Sequence, residues 1–272
     1  MKITFNLRGG LGNQLFQATA ANYFAIKYSS NAILDDVAII RHKNPTRRTW
    51  LREIDLNKFY PEHKVQMTNL FFTNLRSRKF IKKIKKYPLN QYQLEKLTSF
   101  ERNIEVYDWF HTSKFLPKDG LDLKKEYLGN LSRNTLLFGD AVKVKDNTAA
   151  IHIRLGDFKK AAWGVLPSDW YRKALDYLTE IGISHVDCYS DDISEAKEII
   201  RPLVGNLEFQ FPELLSAFKP HELLWILTQY KTYISSNSSL SWWASYLNQN
   251  KNPRIFGPWS GDLYVAGWQI IS

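Results

Sequence analysis

Residues 149–157, Ala149-Ala150-Ile151-His152-Ile153-Arg154-Leu155-Gly156-Asp157, pass from an apolar run into a polar loop within a few positions. A short apolar run that ends in charge reads as a buried strand, residues 150–153, delivering a loop at its carboxyl end. The pattern then repeats. Ser168 is placed as the N-cap of a helix with Tyr171, Ala174, Leu175 and Leu178 on one face, and Gly182 stops it. Strand 185–189 runs into Ser190-Asp191-Asp192, followed by helix 195–200, strand 207–209 and helix 222–230. Strand 232–235 runs into Ser236-Asn237-Ser238-Ser239, then helix 240–248 and strand 254–257. Such alternation predicts a parallel sheet with helices on both faces, a Rossmann-like domain.

The chain opens on a related unit. Ile3, Phe5 and Leu7 alternate along a strand, Gly9-Gly10-Leu11-Gly12 turns the chain, and Phe16, Ala20, Tyr23 and Phe24 form the stripe of a helix. Residues 32–36 then make a second strand ending in Asp35-Asp36, so the first 36 residues read as a βαβ unit. Residues 40–140 show few clean periods. A polar stretch at residues 140–148 separates the two patterns, and the expected domains are 1–145 and 146–272, both Rossmann-like, facing a central cleft.

Composition removes several classes. With 44% hydrophobic and 24% charged residues in 272, the chain is globular, and no window approaches the 18 apolar residues of a membrane span. Met1 leads directly into a strand rather than a signal core, so a cytoplasmic protein is expected. One cysteine, Cys188, excludes disulfide scaffolds and zinc fingers. The net charge of +10 favours an anionic partner, and residues 76–86, with seven Lys or Arg, read as a basic amphipathic segment suited either to an anionic membrane surface or to a solvated helix face.

The candidate chemistry lies at strand ends. His152 and Arg154 share a face at the carboxyl edge of the sheet, where open α/β folds bind ligands. A guanidinium there can hold two phosphate oxygens of a departing diphosphate, and a structural Arg154–Asp157 ion pair is the plain alternative. Asp191 and Asp192 suit ribose hydroxyls or a base edge, or an N-cap; Asn237, Ser238 and Ser239 suit phosphate, or capping. Gly9 to Gln14 reads as an anion- or sugar-binding loop or as a tight packing turn. No Asp-x-Asp triplet, Gly-x-x-x-x-Gly-Lys loop or Gly-x-Ser-x-Gly turn occurs, and Cys188 sits in a strand as core. Trp109 and Trp163 are candidates for sugar stacking, whereas Trp242 and Trp243 fit core packing.

Four segments together resemble the bacterial α-1,2-fucosyltransferases: residues 9–17 (Gly9-Gly10-Leu11-Gly12-Asn13-Gln14-Leu15-Phe16-Gln17), 152–157, 189–192 and 236–244. The resemblance implies a GT-B architecture and an inverting, metal-independent transfer of fucose from GDP-β-L-fucose to the 2-hydroxyl of a terminal β-galactoside, in O-antigen or surface-glycan synthesis. It needs no cofactor. By the same resemblance Arg154 binds the β-phosphate, His152 contacts the donor, and Asp191 and Asp192 lie near ribose or guanine. Asn237, Ser238 and Ser239 lie at guanine or phosphates, and Asn13 and Gln14 close over the diphosphate and fucose. Two positions depart from the family pattern: Leu155 stands where a second arginine is usual, and Trp163-Gly164 where a His-Gly pair is usual.

Asp157, beside Arg154, is the first candidate for the base that takes the acceptor proton, with Asp35 and Asp36 next. Peripheral attachment at the inner membrane through residues 76–86 is a further expectation. Two rivals remain on the residues alone. A nicotinamide-dependent oxidoreductase would use the opening βαβ unit, but Leu15 occupies the position of the third small residue of its fingerprint. A nucleic-acid binder would use the positive charge and the interleaved aromatics.

Overall fold

A computed structural model describes residues 2–40, 65–67, 87–98, 103–116, 147–161, 164–212, 219–248 and 250–271. Contacts divide the chain into two α/β units, Met1–Asn130 and Leu131–Ser272. The boundary expected after residue 145 lies outside the described residues, as do residues 76–86 and Trp163.

In the first unit, β1 (Lys2–Asn6) leads through Arg8-Gly9-Gly10 into α1 (Leu11–Lys27) and back to β2 (Asn31–Asp35). A single turn, α2 (Val37–Ile40), follows, then β3 (Val65–Met67), β4 (Tyr87–Leu89), α3 (Gln91–Lys96) and β5 (Ile104–Val106). The sheet runs β3-β2-β1-β5-β4, parallel throughout. Helix α1 buries Leu15, Phe16, Ala20 and Phe24 on this sheet, as its stripe predicts, whereas Tyr23 stays 37% exposed. Phe24 and Phe5 stack at 6.4 Å and both meet Phe110.

The second unit contains β6 (Thr148–Ile153), α4 (Ser168–Glu180), β7 (His185–Ser190), α5 (Ile193–Ile200), β8 (Glu208–Gln210), α6 (Pro220–Leu227), β9 (Thr232–Ile234), α7 (Ser239–Tyr246), β10 (Arg254–Gly257) and β11 (Gln269–Ile270). Its sheet order is β11-β10-β9-β6-β7-β8. Numbered within the unit this is 3-2-1-4-5-6 read from the other edge, the nucleotide-binding Rossmann order, and the order in which strands are added reverses between β6 and β9, which run parallel. Strand β6 is buried at every position because β7 and β9 flank it and helices cover both faces. Tyr171, Ala174, Leu175 and Leu178 of α4 are buried, at the helical spacing expected.

Ser168 is not the cap of α4. Pro167 holds the N-cap position, its carbonyl accepting from the Trp170 amide at 3.0 Å, and Ser168 opens the helix; the cap position needs no N–H, so proline is tolerated there. Proline 220 likewise starts α6 two residues before the sequence pattern does.

Candidate donor-side site and family

The carboxyl end of β6 carries a polar cluster. Arg154 leaves the strand and its guanidinium is divided between two carboxylates: one amino group donates to Asp157 Oδ1 at 2.7 Å and the other lies 3.1 Å from Asp191 Oδ2. Its planar face rests over Phe158, 5.7 Å from the ring centre. Arg154 is one-third exposed and Asp157 is 71% exposed, so the guanidinium is fixed in direction and remains open to solvent.

Asp191 does more than pair. Its Oδ1 accepts from the Leu155 amide at 2.8 Å, so one carboxylate at the end of β7 pins both the loop after β6 and the arginine side chain. Gly156 belongs to the same arrangement: a Cβ there would fall 2.3 Å from Asp191 Oδ2. Asp192 is separate. Its Oδ1 accepts from Glu195 N at 3.1 Å and caps α5, and Lys159 bridges it to Glu195. The Glu195 amide first, and then Lys159, hold the Asp192 carboxyl below its ordinary value. Of the two readings open for Asp191-Asp192, the cap belongs to Asp192.

His152 is 2% exposed, and its Nδ1 sits 3.2 Å from the hydroxyls of both Ser236 and Ser241. Ser241 also receives the Ser236 amide at 2.9 Å and contacts the Tyr233 hydroxyl. Burial, reinforced by the charge on Arg154, drops the His152 pKa to about 3, so the ring is neutral. This network ties the end of β6 to the segment after β9. Ser238 occupies the N-cap of α7, its carbonyl accepting from the Trp242 amide at 3.0 Å but its side chain making no cap bond, and no acidic residue stands in the first turn. Asn237 instead donates to the Gly164 carbonyl at 3.0 Å. The four residues His152, Arg154, Asp191 and Ser238 are thus gathered at the carboxyl edge where strand order reverses.

Asn13 and Gln14 belong to the first unit. Gln14 is fully buried and donates to the Gly9 carbonyl at 2.9 Å, and Asn13 Oδ1 accepts from His111 Nε2 at 2.9 Å. Asp35 and Asp36 are buried, and Asp35 Oδ1 accepts from the Val37 amide. Leu155, at the position of the expected second arginine, is fully buried in the core. Trp242 and Trp243 are core residues as expected. Sequence reasoning did not anticipate the support of His152 by Tyr233 and Ser241, since serines spaced along a helix carry no signal of a distant partner. Among the described residues, no three His, Cys, Asp or Glu side chains are grouped as a metal site requires, and no helix is long and apolar enough to cross a membrane.

Two parallel α/β units are what a GT-B-type glycosyltransferase contains, and a solved structure shows the same fold. The chain superposes on the Bradyrhizobium fucosyltransferase NodZ with a TM-score of 0.57, at 12% identity over 93% of this chain and 94% of that one. The sequence model of glycosyl transferase family 11 matches residues 122–259, and the chain belongs to that family. Two relatives from Escherichia coli align along most of their lengths. The O-antigen biosynthesis glycosyltransferase WbnK is 27% identical, over 93% of this chain and 92% of its own. An alpha-1,2-colitosyltransferase is 23% identical, over 90% and 87%.

Proposed function

We propose that the protein transfers L-fucose, with inversion, from GDP-β-L-fucose to the 2-hydroxyl of a terminal β-galactoside in O-antigen synthesis. The observation that carries this reading is Arg154: a solvent-facing guanidinium set by two carboxylates at the reversal point of a Rossmann sheet. An α-linked product from a β-linked donor requires in-line attack on an oxocarbenium-like centre, and the largest demand is the charge gathering on the departing diphosphate. Arg154 exchanges Asp157 for phosphate oxygens as the donor binds, while Asp191 stays beside it. The start of α7, where the Ser238 side chain makes no cap bond, brings amides and serine hydroxyls to the same edge as donors toward the phosphates. Asp157, released by that exchange, is the base that takes the acceptor proton.

Supporting the donor assignment, the NodZ fold neighbour has been crystallised with GDP, and both relatives carry names of sugar transfer. Asp191 keeps Arg154 in place, His152 and Asn237 fix the loops on either side, and Asn13 and Gln14 remain assigned to diphosphate and fucose. With Leu155 in the core, one guanidinium serves where the family usually has two. No metal or other cofactor is assigned. Peripheral attachment to an anionic membrane through residues 76–86 remains a proposal on sequence alone.

The name of the colitosyltransferase relative supports a second donor reading with the same α-1,2 linkage. Incubating a panel of galactosides with GDP-fucose and, separately, GDP-colitose, with chelator present, and assigning the product linkage by NMR distinguishes them. The reading expects α-1,2-fucosylated galactoside and a loss of about 10²- to 10³-fold in turnover for Arg154→Ala. Near-normal turnover by that variant rejects the clamp.

A further inference from the structure

The first unit carries a second cluster, built on Trp109 and His111, that shares only Asn13 with the reading above. Beyond the carboxyl end of β5 the chain continues as Tyr107-Asp108-Trp109-Phe110-His111. Its even positions, like Ile104 and Val106, turn inward: Phe110 is 1% exposed and packs on Phe5, Phe24 and Phe115. The odd positions present three aromatic rings to solvent, Tyr107, Trp109 and His111. Among the described tryptophans only Trp109, at 40%, is exposed.

This arrangement is held at a cost. Phe110 has φ +56°, a left-handed backbone that a bulky residue enters at an expense of about 1–2 kcal/mol. Strain of this kind clusters at ligand sites. Asp108 fastens the segment, its Oδ1 accepting from the Trp109 amide at 2.7 Å and its Oδ2 from the Gln91 amide at 2.9 Å. On the other side Gly9 gives way: a Cβ there would sit 3.0 Å from the indole. The Arg8 guanidinium covers the Tyr107 ring at 5.2 Å, leaving the indole as the flat apolar surface on offer.

The polar rim is set beside it. The imidazole of His111 lies 6.0 Å from the indole, tilted by 32°, and donates from Nε2 to Asn13 Oδ1. A carbonyl oxygen can only accept, so in the neutral ring the lone pair falls on Nδ1. Desolvation against Phe16 and its neighbours lowers the His111 pKa, opposed by Asp108, and favours that neutral form. The sheet order β3-β2-β1-β5-β4 reverses between β1 and β5, which places the cluster at the ligand-binding edge of this unit too.

We propose that Trp109, with His111 and Asn13, forms a saccharide-binding platform on which the apolar face of the acceptor pyranose stacks while its hydroxyls bond at the rim. An exposed indole bordered by an imidazole and a carboxamide matches a ligand with one apolar face and a ring of hydroxyls. The assignment to the acceptor rests on the glycosyltransferase reading, whereas the platform rests on the geometry of this unit.

The test uses the full chain. Methyl β-galactoside is titrated into protein labelled at the tryptophan indoles, with Trp109→Phe identifying the resonance. Saturable movement of the Trp109 indole is expected. In transfer assays Trp109→Ala should raise the acceptor KM roughly tenfold while the donor KM holds, with Trp109→Phe recovering most of the loss. A Trp109 resonance indifferent to the sugar, one moved equally by GDP alone, or an unchanged acceptor KM in Trp109→Ala overturns the platform. If no sugar nucleotide supports transfer by the native protein, the functional reading falls instead, and the indole titration with free sugars still decides the platform.

Discussion

At the residue scale, the second unit divides its polar side chains between those that meet solvent and those that hold them. Arg154 faces outward, whereas His152, two positions earlier on the same strand, is sealed against Ser236 and Ser241. A histidine whose folded pKa is depressed to about 3 remains neutral in the native state while its unfolded counterpart binds a proton near 6.5. Its contribution to stability is therefore complete above about 6.5 and is lost progressively as pH falls toward about 3. Urea unfolding at a series of pH values should show His152→Gln with a shallower loss between those limits, by about 1.4 kcal/mol per pH unit. Equal slopes in the two proteins would mean that the native ring is protonated. His152 and Arg154 were legible as a pair from their spacing on a strand; that Asp191 holds Arg154 was not, because 37 positions separate them in sequence and only the pairing of β6 with β7 brings them together.

At the element scale, the turn from β1 into α1 depends on a position no side chain can occupy. Gly9 has φ +70°, and a Cβ would stand 2.2 Å from Asn13 Nδ2. Gly9→Ala should cost about 1–2 kcal/mol from the backbone alone, with a further loss as Asn13 is displaced. Thermal unfolding measures the first, and a weakened acceptor KM measures the second; an alanine variant as stable as the native chain would show that the turn relaxes. Glycines, strand and stripe made this βαβ unit readable. The rest of the first unit was opaque for a physical reason: β3, β4 and β5 are three residues each, too short for a period of two to emerge. Trp109 was a stacking candidate from sequence; that Tyr107 and His111 flank it on the same exposed side shows itself once β5 fixes which side is core. In the second unit, longer strands and helices made order and type legible; the two-residue edge strand β11 was missed, and helix ends differ by one to three residues, with α6 starting at Pro220 rather than 222 and α5 at Ile193 rather than 195.

At the scale of the whole molecule, two Rossmann-like units and a net charge of +10 leave glycosyl transfer, dinucleotide chemistry and polynucleotide binding as formal options. Membership of glycosyl transferase family 11 and the GT-B fold decide the class. Within that class, the account turns on where the charge of the leaving diphosphate is met. A crystal structure with GDP bound tests this most directly. The account predicts the Arg154 guanidinium donating to the β-phosphate, with Asp157 released and Asp191 still on the Leu155 amide. A GDP complex in which Arg154 stays paired with Asp157 and Asp191 while the diphosphate lies elsewhere would contradict it.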